Sequence, residues 1–434
     1  MRSERDDMEP EITEPPKKER AGFVRAKKIV FLGLFGQQNL GNDCSLHAMI
    51  EHTRNWLPDA EMKCICTGPE EIRTRYGIPA FQMYAASCEI EPGKKKFPMR
   101  ILTGIAAWAW RELLHGVRAS KFLKGNDMLI VPGTGLLVDH TTGFRGYPYY
   151  LFKWSLIARL RGCKLLFVSM GAGPIYHPLS RWFIRFALSS ATYRSYRDAF
   201  SKQYIESIGF KASCDPVYPD LAFSLPETMM PASNNPRGPR PVIGVGVVDY
   251  CGPGGKQQNR GQEVYRDYIN KSATFVAWLH DHHYPVRMLI GDIKYDSRVR
   301  QDVIELLEKR GLIDCEGRII NEGILSLSDL LAQLEKIDIV ISPRFHNIIL
   351  ALMLNKPVIV LSHDDKFDSL MAELGLAEYC LAIDGLDVDR LIERFTEVEK
   401  NGEALKTYIK DKSEEYRRVL DQQYSIIFKD VLRN

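Results

Sequence analysis

A guanidinium and an imidazole stand two positions apart in Ser342-Pro343-Arg344-Phe345-His346-Asn347, just before the apolar run Ile348–Leu354. Ile337–Ile341 reads as a β-strand, so Arg344 and His346 fall where a helix begins beyond a strand end. Free backbone N–H groups and the helix dipole attract anions there and disfavour a lone cation. Structure alone gives no reason to place Arg344 at that point, whereas a negatively charged ligand does. The next strand, Pro357–Leu361, ends in Ser362-His363-Asp364-Asp365-Lys366, a second polar cluster at a helix start that offers Lys366 as another anion contact. Earlier in the chain, Arg197-Asp198 follows the strand Thr192–Tyr196. By position alone this is equally a capping Asp198 beside a solvated arginine or a guanidinium aimed at an anion above a sheet.

Three further strand ends carry paired glycines. They are Gly36-Gln37-Gln38-Asn39-Leu40-Gly41-Asn42-Asp43, then Gly133-Thr134-Gly135 with Asp139 downstream, and Gly171-Ala172-Gly173-Pro174 with His177 within reach. None has the GxGxxG spacing of dinucleotide binders and no GK[ST] follows, so neither a nicotinamide cofactor nor a P-loop is supported. Together the three turns read as a cleft floor, where backbone passes close to a ligand or a packed helix. His280, His282 and His283 lie at a helix end, where the dipole accounts for them without a metal. Cys64-Ile65-Cys66 puts two thiols on one face of a strand, but no second pair follows to complete a zinc site. No metal or cofactor is expected.

Positioning these residues requires alternating strands and helices, the signature of parallel βαβ units. In the first part the strands read as Ile29–Phe35, Glu61–Cys66, Met128–Pro132, Lys164–Met170 and Thr192–Arg197, with helices at Ser45–Trp56, Leu102–Val117, Tyr149–Leu160 and Leu179–Ser189. Arg111 and Glu112, next to Trp108 and Trp110, mark Leu102–Val117 as a half-exposed helix rather than a cofactor box, and the aromatic stretch Phe144–Phe152 reads as core stacking ahead of a sugar face or a membrane-surface lipid carrier. Residues 226–241 hold a run of prolines with no apolar period and read as a linker. The rhythm restarts at Val242–Val248 and continues through strands at Val286–Ile290, Arg318–Ile320, Ile337–Ile341 and Pro357–Leu361. The expected organisation is a disordered tail over 1–26, a Rossmann-like domain over 27–225, the linker, a second such domain over 242–385 and C-terminal helices over 386–434. The fold class is α/β, two doubly wound domains facing a cleft.

Composition agrees. A chain of 434 residues is too long for one core, since single cores stop growing at about 250–300 residues. Hydrophobic residues make up 45% and charged ones 26%, with a net charge of +3 from 58 basic and 55 acidic residues. That balance excludes a largely disordered chain and an obligate nucleic-acid binder. Nine scattered cysteines argue for reduced thiols rather than a disulfide framework. No apolar run is long enough to span a bilayer, and a cytoplasmic protein is expected.

The residues of the second cluster resemble the polysaccharide pyruvyl transferases. The resemblance runs from about Lys28 to about Ile383. It rests most on Ser342 through His346, Ala351-Leu352 and Lys356 through Lys366, with support from Asn39-x-Gly41, Gly133-x-Gly135 with Asp139, Gly171-x-Gly173-Pro174 and Arg197-Asp198. The chain departs from the family pattern at Asn42, Thr134 and His363. The resemblance implies a GT-B-like arrangement and transfer of the pyruvyl group of phosphoenolpyruvate onto two hydroxyls of one sugar, giving a cyclic ketal and phosphate. It implies Arg344 and Arg197 on the donor's carboxylate and phosphate and His346 as general acid. Lys366, Ser362, His363, Asn39, Gly41, Gly133, Gly135, Asp139, Gly171, Gly173 and His177 would line the substrates. The acceptor would be a sugar, an oligosaccharide or a lipid-linked saccharide, with at most peripheral contact to the inner membrane surface; a homo-oligomer is compatible. Two alternatives stand: a GT-B enzyme using a nucleotide-sugar, with Asp364 or Asp365 on the ribose, and a catalytically idle binding protein of a polysaccharide assembly complex.

Overall fold

A computed structural model describes residues 26–85, 97–139, 142–231, 238–252, 261–312 and 317–431. Nearly all of the expected tail, and parts of the linker and of the loops at 78–97 and 139–149, lie outside these residues. The first half runs β1 (Lys28–Leu32), α1 (Leu40–Trp56), β2 (Glu61–Cys66), α2 (Pro69–Tyr76), β3 (Ala80–Gln82), α3 (Phe97–Leu123), β4 (Met128–Pro132), α4 (Tyr147–Leu160), β5 (Lys164–Met170), α5 (Pro178–Ser189), β6 (Tyr193–Tyr196) and α6 (Ala199–Ser207). The second runs β7 (Ile243–Gly246), α7 (Gly261–Asp281), β8 (Val286–Leu289), α8 (Ile293–Lys309), β9 (Ile319–Ile320), α9 (Leu327–Glu335), β10 (Ile339–Ser342), α10 (Phe345–Met353), β11 (Val358–Ser362), α11 (Asp365–Glu373), β12 (Cys380–Ala382), α12 (Val388–Lys400) and α13 (Gly402–Ser425).

Each half is a six-stranded sheet, ordered β3-β2-β1-β4-β5-β6 and β12-β11-β10-β7-β8-β9. Read from its opposite edge, the second order repeats the first, and neighbouring strands pair in parallel. The order reverses between β1 and β4 and between β7 and β10, which opens a crevice beyond the carboxyl ends of these central strands. Runs such as Met128–Pro132 are buried along their whole length, as expected of parallel strands covered on both faces.

Two hydrophobic cores result. One packs α1 on the first sheet through Phe31 and Met49 and continues into the second half through Ile243, Ile341 and Ile348. The other lies on the opposite face of the first sheet, where Val30 and Leu129 meet Ala119 of α3, Trp154 of α4 and Ile184 of α5.

Three features differ from the sequence reading. The edge strands β3 and β12 have three residues each, too few to show a periodic pattern. Helices α1 and α8 begin earlier than the sequence reading has them, because their first turns mix core-packing residues such as Leu40 and Ile293 with polar capping residues and so break the apolar period. Residues 386–434, read as one set of helices, divide between the halves. Helix α12 packs against α7 and β11, whereas α13 packs on α10 of the second half and continues onto residues 221–224 of the first. Gln423 there donates to Ser195 Oγ at 2.7 Å and accepts from Ser169 Oγ at 3.1 Å. Tyr424 stacks on His52 with ring centroids 3.8 Å apart, and its hydroxyl lies 2.7 Å from Ser224 Oγ.

Tyr424 is fully buried, so Tyr424→Ala leaves a cavity beneath His52 and should cost about 3–5 kcal/mol of stability. A lowered urea midpoint with an unchanged slope is the expected result; an unchanged midpoint would contradict the packing of α13 on the first half.

Candidate active site

The two halves meet where α1 and α8 begin. Asn39 caps α1 by accepting the Asn42 N–H, and Asp292 caps α8 by accepting from Lys294 and Tyr295. The caps also bind each other, Asn39 Nδ2 donating to Asp292 Oδ2 at 3.2 Å. Backbone bonds flank this contact, from Leu40 N–H to Gly291 O at 3.2 Å and from Ile293 N–H to Gln38 O at 3.1 Å. A cavity of about 180 Å³ lies beside this joint, lined by Gly41, Arg197, Arg344, His346, Lys366 and others from both halves.

Arg344, at the N-cap of α10, is held by Asp296 of α8. Its Nε donates to Asp296 Oδ2 at 2.8 Å and Nη2 donates to Oδ1. Asp296 also accepts the Gly291 and Asp292 N–H groups. Burial raises the Asp296 pKa, and Arg344 opposes the rise. From sequence, a ligand alone stands opposite Arg344; in the structure Asp296 supplies part of the negative charge and fixes the guanidinium. Arg197 enters from the end of β6, its Nε on Asp198 Oδ2 at 3.2 Å and Nη1 at 3.5 Å from Asp220 Oδ2. Its guanidinium sits 4.7 Å from the centroid of Phe345, a residue of the other half. A Cβ on Gly171 would fall 2.6 Å from that guanidinium carbon, so only glycine leaves room for Arg197. Lys366 lies 3.1 Å from Asp364, the N-cap of α11, and 6.0 Å from the centroid of the same Phe345 ring.

His346 stands among these cations. Its Nε2 is 3.9 Å from Asp220 Oδ2, and neither atom has a hydrogen-bond partner among the described residues. Burial, then Arg197, Lys366 and Arg344, hold its pKa down at about 4 against the opposing Asp220 carboxylate. Lys366 is lowered by burial and by the same two arginines, with Asp364 opposing. Each shift marks a site that holds more positive charge than it comfortably keeps without an anion.

Asn39, Gly41, Gly135, Arg197, Arg344, His346, His363 and Lys366 border the cavity. The other expected substrate contacts are placed differently. Asp139 spends both carboxylate oxygens on the Tyr176 and His177 N–H groups, at 2.9 Å each. His177 caps α5 through Leu179 and stacks on Phe144. Ser362 donates to Asp368 at 2.8 Å. Gly133 has φ +48° and backs onto Ser45, while a Cβ on Gly173 would meet Val138 at 2.9 Å. Gly171 acts from beneath Arg197. These six shape the floor rather than the lining. Asp220 and Asp296 were not singled out from sequence. The first follows a short extended segment that bridges to β6 at Val217, and the second sits inside a helix; neither carries a local signal.

A family model described as Polysaccharide pyruvyl transferase matches residues 39–365. The chain belongs to this family. Among curated proteins none matches it. The solved structures it resembles include a glycosyltransferase from Rickettsia africae, with TM-score 0.58 at 14% identity over 95% of this chain and 100% of that one. A putative UDP-N-acetylglucosamine 2-epimerase from Listeria monocytogenes follows, with TM-score 0.55 at 13% identity over 93% and 97%. HepE from Anabaena, solved with UDP and glucose, gives 0.54 at 12% over 92% and 99%. At such identities the likeness concerns the fold, two Rossmann-like domains of GT-B type. The transferase therefore has this architecture with its cations gathered at the joint.

Two glycines separate a packing role from an open one. A Cβ at Gly41 would lie 2.0 Å from His346 Nδ1, whereas nothing lies within 4 Å of one at Gly116 on α3, away from the cavity. Gly41→Ala should push the imidazole aside and cost the transferase about a hundredfold in turnover, while Gly116→Ala stays near the wild-type rate. Equal rates for both variants would remove His346 from the working site.

Proposed function

We propose that the transferase moves the pyruvyl group of phosphoenolpyruvate onto two hydroxyls of a sugar in a polysaccharide or its precursor, releasing phosphate. The observation carrying this reading is the convergence of Arg197 from one half with Arg344 and Lys366 from the other on a cavity of about 180 Å³. Drug-sized ligands occupy pockets of roughly 300–1,000 Å³, so the space suits a three-carbon phosphate. Guanidinium groups match planar carboxylate and phosphate oxygens through paired hydrogen bonds. No cofactor is called for, because the donor brings its own leaving group.

In this reading His346 donates a proton to the methylene carbon of the donor while one sugar hydroxyl attacks carbon 2. A C–H and a C–O bond form, and the carbon–carbon double bond becomes single. The second hydroxyl then attacks carbon 2 as its bond to the phosphate oxygen breaks. One hydroxyl proton restores His346 and the other leaves on phosphate. Arg197 and Arg344 take the charge that collects on the departing phosphate. Asp220, facing Nε2, acts as a positioning residue that steadies the imidazolium. Cys44, Cys64, Cys66, Cys163, Cys214 and Cys380 are free thiols, which suits a reducing compartment, and we place the reaction in the cytoplasm.

A second reading, a nucleotide-sugar donor, draws on a larger cavity of about 480 Å³ lined by Tyr265, Arg266 and Arg298 and on the UDP bound to HepE. Its lining also holds Asp249 and Asp302, which repel a diphosphate, so we place it second. Phosphate release from phosphoenolpyruvate with an acceptor mixture separates the two. Arg344→Ala and Arg197→Ala should each lower that release by at least about a hundredfold with the fold retained; near-wild-type turnover in either would remove that arginine from the donor site. A melting temperature that phosphoenolpyruvate leaves unmoved would speak for an idle binding protein.

The pKa of His346 gives an independent check. A bound trianion favours imidazolium, so its NMR titration should move upward from about 4 when a donor analogue binds. In the free protein the depressed value has the opposite consequence for folding. The unfolded chain takes up this proton first, so the contribution of His346 to stability fades as pH falls from about 6.5 toward the folded pKa. An imidazole titration indifferent to the donor would overturn its role as acid.

A further inference from the structure

The outer surface of α3, α4 and α5 is built unlike the rest of the molecule. On α3, Trp110, Leu113, Leu114 and Val117 follow the i, i+3, i+4, i+7 spacing of an apolar helix face, yet all four are exposed, Trp110 at 61%. The inward side of the same helix is already satisfied, with Ala119 and Leu123 in the core beneath. An unbroken series of ring contacts leads across the surface from Trp108 through Tyr149 and Phe183 to Trp182, itself 53% exposed.

Charge on this layer has one sign. The three helices contain a single acidic residue, Glu112, and it is buried with Lys153 at 2.8 Å. Arg118, Arg181 and Arg185 are exposed around the apolar stripe, and Arg145 lies over the rings of Trp108 and Phe144. No described helix is long and apolar enough to cross a membrane.

We propose that this face docks on a membrane surface rich in anionic phospholipid headgroups. Indole rings and short aliphatic side chains suit the boundary between headgroups and acyl chains, and surrounding arginines meet phosphates above it. A second copy of the chain fits less well, because a two-fold contact would set arginine against arginine with no exposed carboxylate from these helices to relieve it. None of the residues lining the cavity at the joint belongs to these three helices, so docking leaves that cavity unobstructed. Residues Phe144 and His177, at the edge of the face, are tied through Asp139 to the glycine floor of the crevice. The edge of the face thus adjoins the crevice floor, on the side from which a saccharide carried on lipid would enter; this use rests on the pyruvyl-transfer reading, whereas the docking does not.

Sedimentation of the full chain with vesicles tests it without donor or acceptor. Vesicles of phosphatidylcholine mixed with phosphatidylglycerol should retain the protein, vesicles of phosphatidylcholine alone should not, and added salt should weaken retention. Trp110→Ser with Trp182→Ser should lower partitioning by about tenfold or more, and Arg118→Gln with Arg185→Gln by about tenfold, both with unchanged melting temperature. Absence of binding, equal binding to both vesicle types, or variants that bind like the wild type would each overturn the proposal. So would a dimeric wild type whose tryptophan variants are monomeric and which ignores vesicles, since a second copy would then cover the face.

Discussion

The bond between two helix caps, Asn39 and Asp292, governs how everything else in the molecule can act. Each side chain already satisfies the first N–H groups of its own helix, so each is held rigidly before it meets the other. Their contact, flanked by backbone hydrogen bonds on either side, joins the halves where their crevices open. This joint, with the packing of α1 on α10 and of α6 on α11, sets the spacing of a cation set contributed by both halves. Gly41 and Gly291 stand at the same junction, against His346 and Arg344, and side chains there would separate the surfaces that the caps draw together.

Behind each cation stands a carboxylate: Asp296 for Arg344, Asp198 and Asp220 for Arg197, and Asp364 for Lys366. These partners reduce the net field of the site. In exchange they fix the direction of groups whose long side chains would otherwise sample many rotamers, and preorganised charge does more for a transition state than mobile charge. Asp220 differs from the others because it faces both Arg197 and His346. It couples the anion-binding side of the cavity to its proton donor.

Much of this was legible in the sequence where local pattern and chemistry coincide. The central strands, the proline-rich break, and Arg344 with His346 at a helix start all carry signals spanning a few adjacent residues. The glycine turns were legible as places of close approach, but not what approaches. Gly171 makes room for Arg197 and Gly41 for His346, contacts made across 26 and 305 positions of chain as the numbering shows. Asp139, His177 and Ser362 have residue types that fit a ligand, and the structure commits them to backbone amides and a neighbouring carboxylate instead. Asp220 and Asp296 gain their meaning only from partners distant in sequence, and α13 gave no local sign that it would cross to the other half.

That crossing has a consequence for how the molecule comes into being. Ser169 and Ser195 lie buried near the ends of β5 and β6 in the first half, and Gln423 binds both hydroxyls. A nascent first domain emerging from the ribosome therefore carries polar groups without their final partners until the last helix has been synthesised. Its strands can assemble early, but its surface stays unfinished through translation of the whole second domain. The stitch that completes the first half is drawn only after the second half has been made.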